Sequence, residues 1–277
     1  MKQKQSNPVH NILLDMLEYF HTICVELNLN YYAVGGTMLG AKRHNGFVPW
    51  DDDIDIAMPR KDYEKLIREF NSKIGKSKYI LEFPSDQNPE YTYLYAKLYD
   101  TDTTLIEHAR NPIKRGVYLD IFPLDGIGDN YEEAKLNYSP ILKRIRWHYW
   151  FICSYTKYKL FSKKVLVFLA RIINRLFVSE RNLNNRINSM CKQRDFYKSE
   201  YVGNLLGAWG YKEIVRREYL GNPTEYNFCG ITIYGVEKPH DYLTSIYGDY
   251  MKLPPEEKRV SHHDYIDIDL NKSYCNY

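Results

Sequence analysis

Residues 50–58 read Trp-Asp-Asp-Asp-Ile-Asp-Ile-Ala-Met, and no other stretch restricts the fold of this chain as much. In extended backbone, side chains alternate between faces, so Asp51, Asp53 and Asp55 project to one side while Ile54 and Ile56 turn to the other. Three carboxylates on one face repel one another unless a cation stands among them. A divalent ion with oxygen ligands, Mg²⁺ above all, gives that relief where substrate phosphates supply the remaining ligands. A solvated acidic turn is the competing reading. An EF-hand loop shares the opening spacing but is excluded, because its sixth position needs Gly and holds Ile56, and its twelfth needs Glu and holds Asp62.

Upstream, the apolar run 31–34 meets Gly35 and Gly36 and then Thr37, a residue type suited to a helix N-cap. Strand, tight turn and helix start in that order aim unpaired amides outward at the positive end of a helix, and the glycines let a phosphate approach the backbone. A phosphate cradle followed by metal-binding carboxylates points to phosphoryl chemistry.

With 277 residues, 44% hydrophobic and 26% charged, the chain can bury a real core as one large domain, or as one domain with a helical annex. Its net charge of +3 supplies no general drive toward nucleic acid. Cys24, Cys153, Cys191, Cys229 and Cys275 are scattered and odd in number, which argues for reduced thiols packed as small hydrophobes rather than disulfides or a zinc site. Residues 1–10 lack the apolar core of a signal peptide, so the expected location is the cytoplasm.

The spacing of Leu13, Leu17, Phe20, Cys24 and Leu27 predicts an amphipathic helix over 12–27, and Pro59 is placed to open another, with Tyr63, Leu66, Ile67 and Phe70 as its buried stripe. Between 79 and 120 short alternating segments set Leu94, Ala96 and Leu98 on a core face and Tyr91, Tyr93, Tyr95, Lys97 and Tyr99 on the other. Lys97 is either an ordinary lysine on an exposed sheet face or a phosphate ligand. Within the apolar strand 116–122, Asp120 requires a cation or strong donors, since burying a lone carboxylate is costly. It is expected to face the same metal as Asp53 and Asp55. Asp125, just after Pro123, reads as a turn or cap residue.

Residues 134–179 contain no Asp or Glu but ten Lys and Arg, together with Trp147, Tyr149, Trp150 and Phe151 and an amphipathic segment at 160–178. Two readings stand level, a surface resting on an anionic membrane or an annex whose positive face offsets the acidic strand, with nucleic acid well behind because no recognition motif accompanies the charge. A polar helix over 181–196, a strand at 230–234 and a short helix ended by Gly248 follow. His262 and His263 read as surface residues or as groups reaching the substrate.

Taken together, Gly35-Gly-Thr-Met-Leu-Gly40, the block from Gly46 to Arg60, Leu119-Asp-Ile-Phe-Pro-Leu-Asp125 and Tyr247-Gly-Asp-Tyr-Met-Lys-Leu-Pro-Pro255 resemble the LicD family of phosphotransferases, with fukutin-type transferases similar at the same motifs. The resemblance implies an α/β (α+β) fold, a nucleotidyltransferase-like mixed sheet flanked by helices, with a catalytic core at 1–130, a basic helical annex at 131–200 and a C-terminal segment at 201–277 packing back on the core. It implies transfer of a phospho-alcohol, most often phosphocholine, from a CDP-activated donor to a sugar hydroxyl of a cell-surface glycan precursor, lipid-linked in some cases, at the inner face of the membrane. Glycerol-phosphate and ribitol-phosphate transfer, nucleotidyl transfer releasing pyrophosphate, and a non-catalytic glycan- or membrane-binding module are the alternatives. Carried over by position, Gly35 and Gly36 cradle phosphate, Asp53 and Asp55 bind metal with Asp51 beside them, and Asp120 is the third carboxylate, as ligand or base. Gly35, Gly36, Thr37, Arg43 and Lys97 would position phosphates, and Trp50 with some tyrosines would box a quaternary ammonium.

Overall fold

The computed structural model describes residues 2, 3, 5–73, 77–88, 90–109, 111–152, 161–177, 179–261 and 265–276, so His262, His263 and Cys153 lie outside the described residues. Helix α1 (Pro8–Glu26) starts earlier than its apolar periodicity, because Pro8 takes a first-turn position and Asn7 accepts the Val9 N–H at 3.0 Å. Its expected stripe is buried at Leu13, Leu17, Phe20 and Cys24. Then come β1 (Tyr32–Ala33), α2 (Gly35–His44), β2 (Asp55–Pro59) and α3 (Arg60–Lys73). Pro59 therefore closes β2 instead of opening a helix, while Tyr63, Leu66 and Phe70 are buried as expected.

Strands β3 (Tyr79–Glu82), β4 (Ala96–Asp100), β5 (Thr104–Glu107), β6 (Ile113–Arg115) and β7 (Tyr118–Gly128) precede α4 (Tyr131–Ile152), α5 (Phe161–Phe177) and α6 (Glu180–Cys191). Helix α6 stops short of the expected 196, and residues 196–198 form a separate 3₁₀ turn. The rest of the chain supplies β8 (Tyr201–Gly203), β9 (Ile214–Arg216), α7 (Arg217–Leu220), β10 (Thr224–Phe228), β11 (Ile231–Gly235), α8 (Pro239–Tyr247) and β12 (Tyr265–Asp269). Gly248 ends α8 at φ +72°, a left-handed conformation that favours glycine.

Among the described residues, nine strands make one mixed sheet, ordered β10-β11-β1-β2-β7-β4-β3, with β8 and β9 attached beyond β7. The β2–β7 and β1–β11 pairs are parallel and the others antiparallel. A smaller sheet, β12-β5-β6, stands apart. Helices α1, α3, α4 and α6 contact β7, whose eleven residues are all buried, and β7 is therefore the spine of the core.

Asp125 is not a turn residue. It lies inside β7, 1% exposed, where Arg60 donates from Nε at 2.8 Å and from its terminal nitrogen at 2.5 Å to the two carboxylate oxygens. Pro123 fails to end the strand for a reason visible in the ladders. Asp120 donates its N–H to Ile54 on the β2 side, so alternation turns the nitrogen of Pro123 to the opposite edge. There β4 pairs with β7 only through Ile121 and β8 begins only at Asp125, and no ladder bond is lost.

Candidate functional site

Strand register assembles the site. Lys97 is the cross-strand partner of Asp120 on the β4–β7 ladder, and Asp120 is the partner of Asp55 on the β7–β2 ladder. The three side chains thus form one row on one face of the sheet, on strands about 4.8 Å apart. Lys97 is not exposed: it is 1% accessible, with Nζ 2.9 Å from Asp120 Oδ1 and 3.3 and 4.2 Å from the ring centroids of Tyr118 and Tyr93. The aromatic box anticipated for a ligand cation is, for these tyrosines, filled by the protein's own ammonium group.

Asp120 thus has the cation its burial demanded. Tyr95 donates to its other oxygen at 3.3 Å. The Lys97 contact is an ion pair without aligned hydrogen-bond geometry, and Oδ1 keeps unused acceptor capacity in the interior. Burial holds the Asp120 carboxyl above its ordinary value, with Lys97 opposing that shift. Asp55 is pushed well above the carboxylate range, first by burial and then by the charges of Asp53, Asp120 and Asp51. The carboxylates therefore feel one another as a group.

Only Asp55 belongs to β2; Asp51 and Asp53 precede it in non-ladder backbone, and burial alternates only over 53–56, with Ile54 and Ile56 fully buried but Asp52 half-buried like Asp51, Asp53 and Asp55. Thr37 is not the N-cap of α2. Val34 takes that position, and Thr37, buried, accepts the Asp55 N–H on its Oγ1 at 2.8 Å, tying the helix to the first residue of β2. The glycine pair also has a second purpose. A Cβ on Gly36 would lie 2.2 Å from Asp51 Oδ2, and one on Gly35, which has φ +54°, would lie 3.0 Å from Asp55 Oδ2. Both carboxylates lean on the positive end of α2, and only glycine leaves them room.

Several walls of the site have no local sequence signal. His10 of α1 donates from Nε2 to the Asp51 carbonyl at 2.6 Å and stacks on Phe47, pinning the acidic loop. The Gly35 N–H donates to Tyr242 Oη at 3.3 Å, and the hydroxyl of Tyr247 on α8 is driven up by burial and then by Asp55, Glu213, Asp51 and Asp53. Burial raises Glu213 from 4.5 to about 7, which sets a near-neutral titration beside Asp55. Trp50 is flanked by guanidinium groups, Arg43 at 6.0 Å and Arg259 at 5.7 Å from its ring centroid. Arg43 also donates to the Tyr250 carbonyl at 2.9 Å, and Ser261 donates to Asp52 at 2.7 Å.

Among the described residues no three His, Cys, Asp or Glu side chains converge closely enough to enclose an ion unaided. The donor set nevertheless fits a hard cation: the groups are carboxylate oxygens, the charges of its neighbours push Asp55 upward, and a buried Asp120 oxygen lacks an aligned donor. Mg²⁺ commonly takes only one or two carboxylates and completes its shell with water and substrate phosphate.

The fold sets carboxylates from adjacent strands of a mixed sheet against a glycine-led helix start, and the comparison with known families gives this arrangement its class, a nucleotidyltransferase domain. The family model described as "LicD/FKTN/FKRP, nucleotidyltransferase domain" matches residues 28–166. The lipopolysaccharide cholinephosphotransferase LicD of Haemophilus influenzae is 33% identical over 256 residues, 91% of this chain and 93% of that protein. The chain belongs to the LicD family. Uncharacterized proteins of Rickettsia typhi and Rickettsia prowazekii match over shorter stretches, 33% identical over 61 residues and 38% over 50, about a fifth of each chain.

Proposed function

We propose that this protein transfers a phospho-alcohol, phosphocholine in the first instance, from a CDP-activated donor to a sugar hydroxyl of a surface glycan such as lipopolysaccharide, releasing CMP. The observation that carries the reading is the Asp55–Asp120 pair, set side by side by register beneath the glycine turn of α2. Similarity to a cholinephosphotransferase along nearly the whole chain supports the choice of alcohol and acceptor.

In this reading Asp53, Asp55 and Asp120, with Asp51 beside them, hold Mg²⁺ or another divalent cation. When bound, the ion neutralises charge on the donor pyrophosphate as CMP leaves. Lys97 holds Asp120 Oδ1 at 2.9 Å and opposes the upward shift that burial imposes on that carboxyl. The amides at the start of α2, and Arg43 held by Tyr250, position phosphate oxygens. Trp50, already between two arginines, adds shape, and Arg43 and Arg259 beside it supply a cationic field.

The test is incubation of the purified protein with Mg²⁺ and CDP-choline, CDP-glycerol or CDP-ribitol, with and without a glycan acceptor, followed by mass spectrometry. Metal-dependent CMP release from CDP-choline, absent in Asp53→Asn, is expected. Pyrophosphate release from a nucleoside triphosphate instead would establish nucleotidyl transfer, which the family's domain description keeps in view. Gly36→Ala gives a second check. Alanine suits a helix by up to about 1 kcal/mol, so folding is retained. The added methyl displaces the Asp51 carboxylate, and activity is expected to fall roughly tenfold to a hundredfold, as when a metal ligand loses its support. Unchanged rates at unchanged Tm would remove Asp51 from the site.

A further inference from the structure

Helix α5 exposes an apolar stripe. Phe161, Val165, Phe168 and Ile172, spaced i, i+4, i+7 and i+11, form one stripe, and all are exposed, as are the adjoining Leu166 and Leu169. Phe161 is 79% accessible and Leu166 64%, whereas among the described side chains of the helix the half-covered ones are Lys164 and Val167. Packing thus leaves the apolar arc outward. Monomeric proteins rarely leave so long an apolar strip in water, and such a strip marks a contact surface.

Its surroundings select the occupant. No acidic residue occurs between 134 and 179. Lys163 is exposed on α5, and the end of α4 presents Lys143 and Arg146 with Trp147, Tyr149 and Trp150, all exposed. Aromatics with an apolar body and a polar edge, next to lysine and arginine, are the composition of a membrane–water interface. Among the described residues no helix is long and apolar enough to cross a bilayer. At 17 residues α5 is about 25 Å long, and it would lie along the surface.

We propose that α5, with the aromatic end of α4, seats the protein on an anionic lipid surface, the apolar stripe entering the headgroup–acyl boundary and the flanking cations meeting lipid phosphates. This deepens the transferase reading, since it would bring the catalytic sheet to a lipid-linked acceptor, but its test does not depend on transfer. The full chain is floated with vesicles rich in phosphatidylglycerol and with pure phosphatidylcholine vesicles, alongside Phe168→Asp/Leu169→Asp and Lys163→Glu/Lys164→Glu. Wild type is expected to float with the anionic vesicles, less so as salt rises, and each double variant to bind roughly tenfold more weakly or worse. All three should keep one circular-dichroism spectrum and one rate of CMP release on a soluble acceptor. Wild type failing to float, or floating as well as Phe168→Asp/Leu169→Asp, would overturn the proposal. So would a dimer in sedimentation that Phe168→Asp/Leu169→Asp splits, because the stripe would then be covered by a second copy.

Discussion

Asp55→Asn is expected to lower transfer by about 10³-fold, toward the upper end of what single groups aimed at developing charge contribute, and at the same time to raise the melting temperature of the metal-free protein. The two effects share one cause. Asp55 lies at the start of β2, beside Asp120 by register and against Gly35, with Asp53 and Asp51 close enough to push its carboxyl further up. A carboxyl whose pKa is higher folded than unfolded binds more protons in the native state, so it costs stability as pH rises above its unfolded value. Asparagine keeps the shape and removes the charge. The apo protein gains, and the gain is larger at pH 8 than at pH 5. What is lost is the attraction for a divalent cation. Adding Mg²⁺ should therefore raise the Tm of the wild type and leave that of Asp55→Asn where it was. Differential scanning fluorimetry across pH, with and without Mg²⁺, reads all of this independently of any acceptor. A variant that is active, or less stable than wild type without metal, would show that Asp55 is structural.

Sequence periodicity located this carboxylate, because local alternation alone decides which side of the segment an aspartate takes, and Ile54 and Ile56 are buried as that alternation requires. It could not locate partners supplied from a distance. The pattern around Asp125 reads as a turn because its guanidinium partner comes from the distant Arg60, and because only the ladders reveal that Pro123 interrupts nothing. Thr37 looked like a cap, yet its hydroxyl is used on Asp55, a bond between elements that no local pattern encodes. The short β8 and β9, three residues each, carry too little pattern to be read at all. For α5 the sequence displayed the amphipathic division but not its orientation. Periodicity says that one side is apolar, and only packing says which side is covered.

Lys97→Met is expected to cost about 3–5 kcal/mol of folding stability, although methionine is nearly the same size and chemically at home in a core, because removing one member of a buried ion pair strands the other. Asp120 would remain in the interior beside Asp55 with only the weak Tyr95 hydroxyl contact at 3.3 Å. The loss has a pH signature. Burial already raises the Asp120 carboxyl and Lys97 restrains that rise, so without the lysine it climbs further. A raised folded-state pKa means that destabilisation grows as pH increases from the unfolded value toward the folded one, and fades in acid where both states hold the proton. Urea melts should then show Lys97→Met closest to wild type near pH 4–5, with the gap widening toward pH 8. Lys97→Met/Asp120→Asn separates charge from packing: if the stranded carboxylate is responsible, the double variant regains most of the loss at pH 8 while remaining inactive. If it is no more stable than the single variant, the three aromatic contacts of the lysine, with Tyr93, Tyr95 and Tyr118, would be what holds the strands together. The first result would mean that Lys97 serves to hold a buried carboxylate next to Asp55, in the row across β4, β7 and β2 where the proposed metal site needs one.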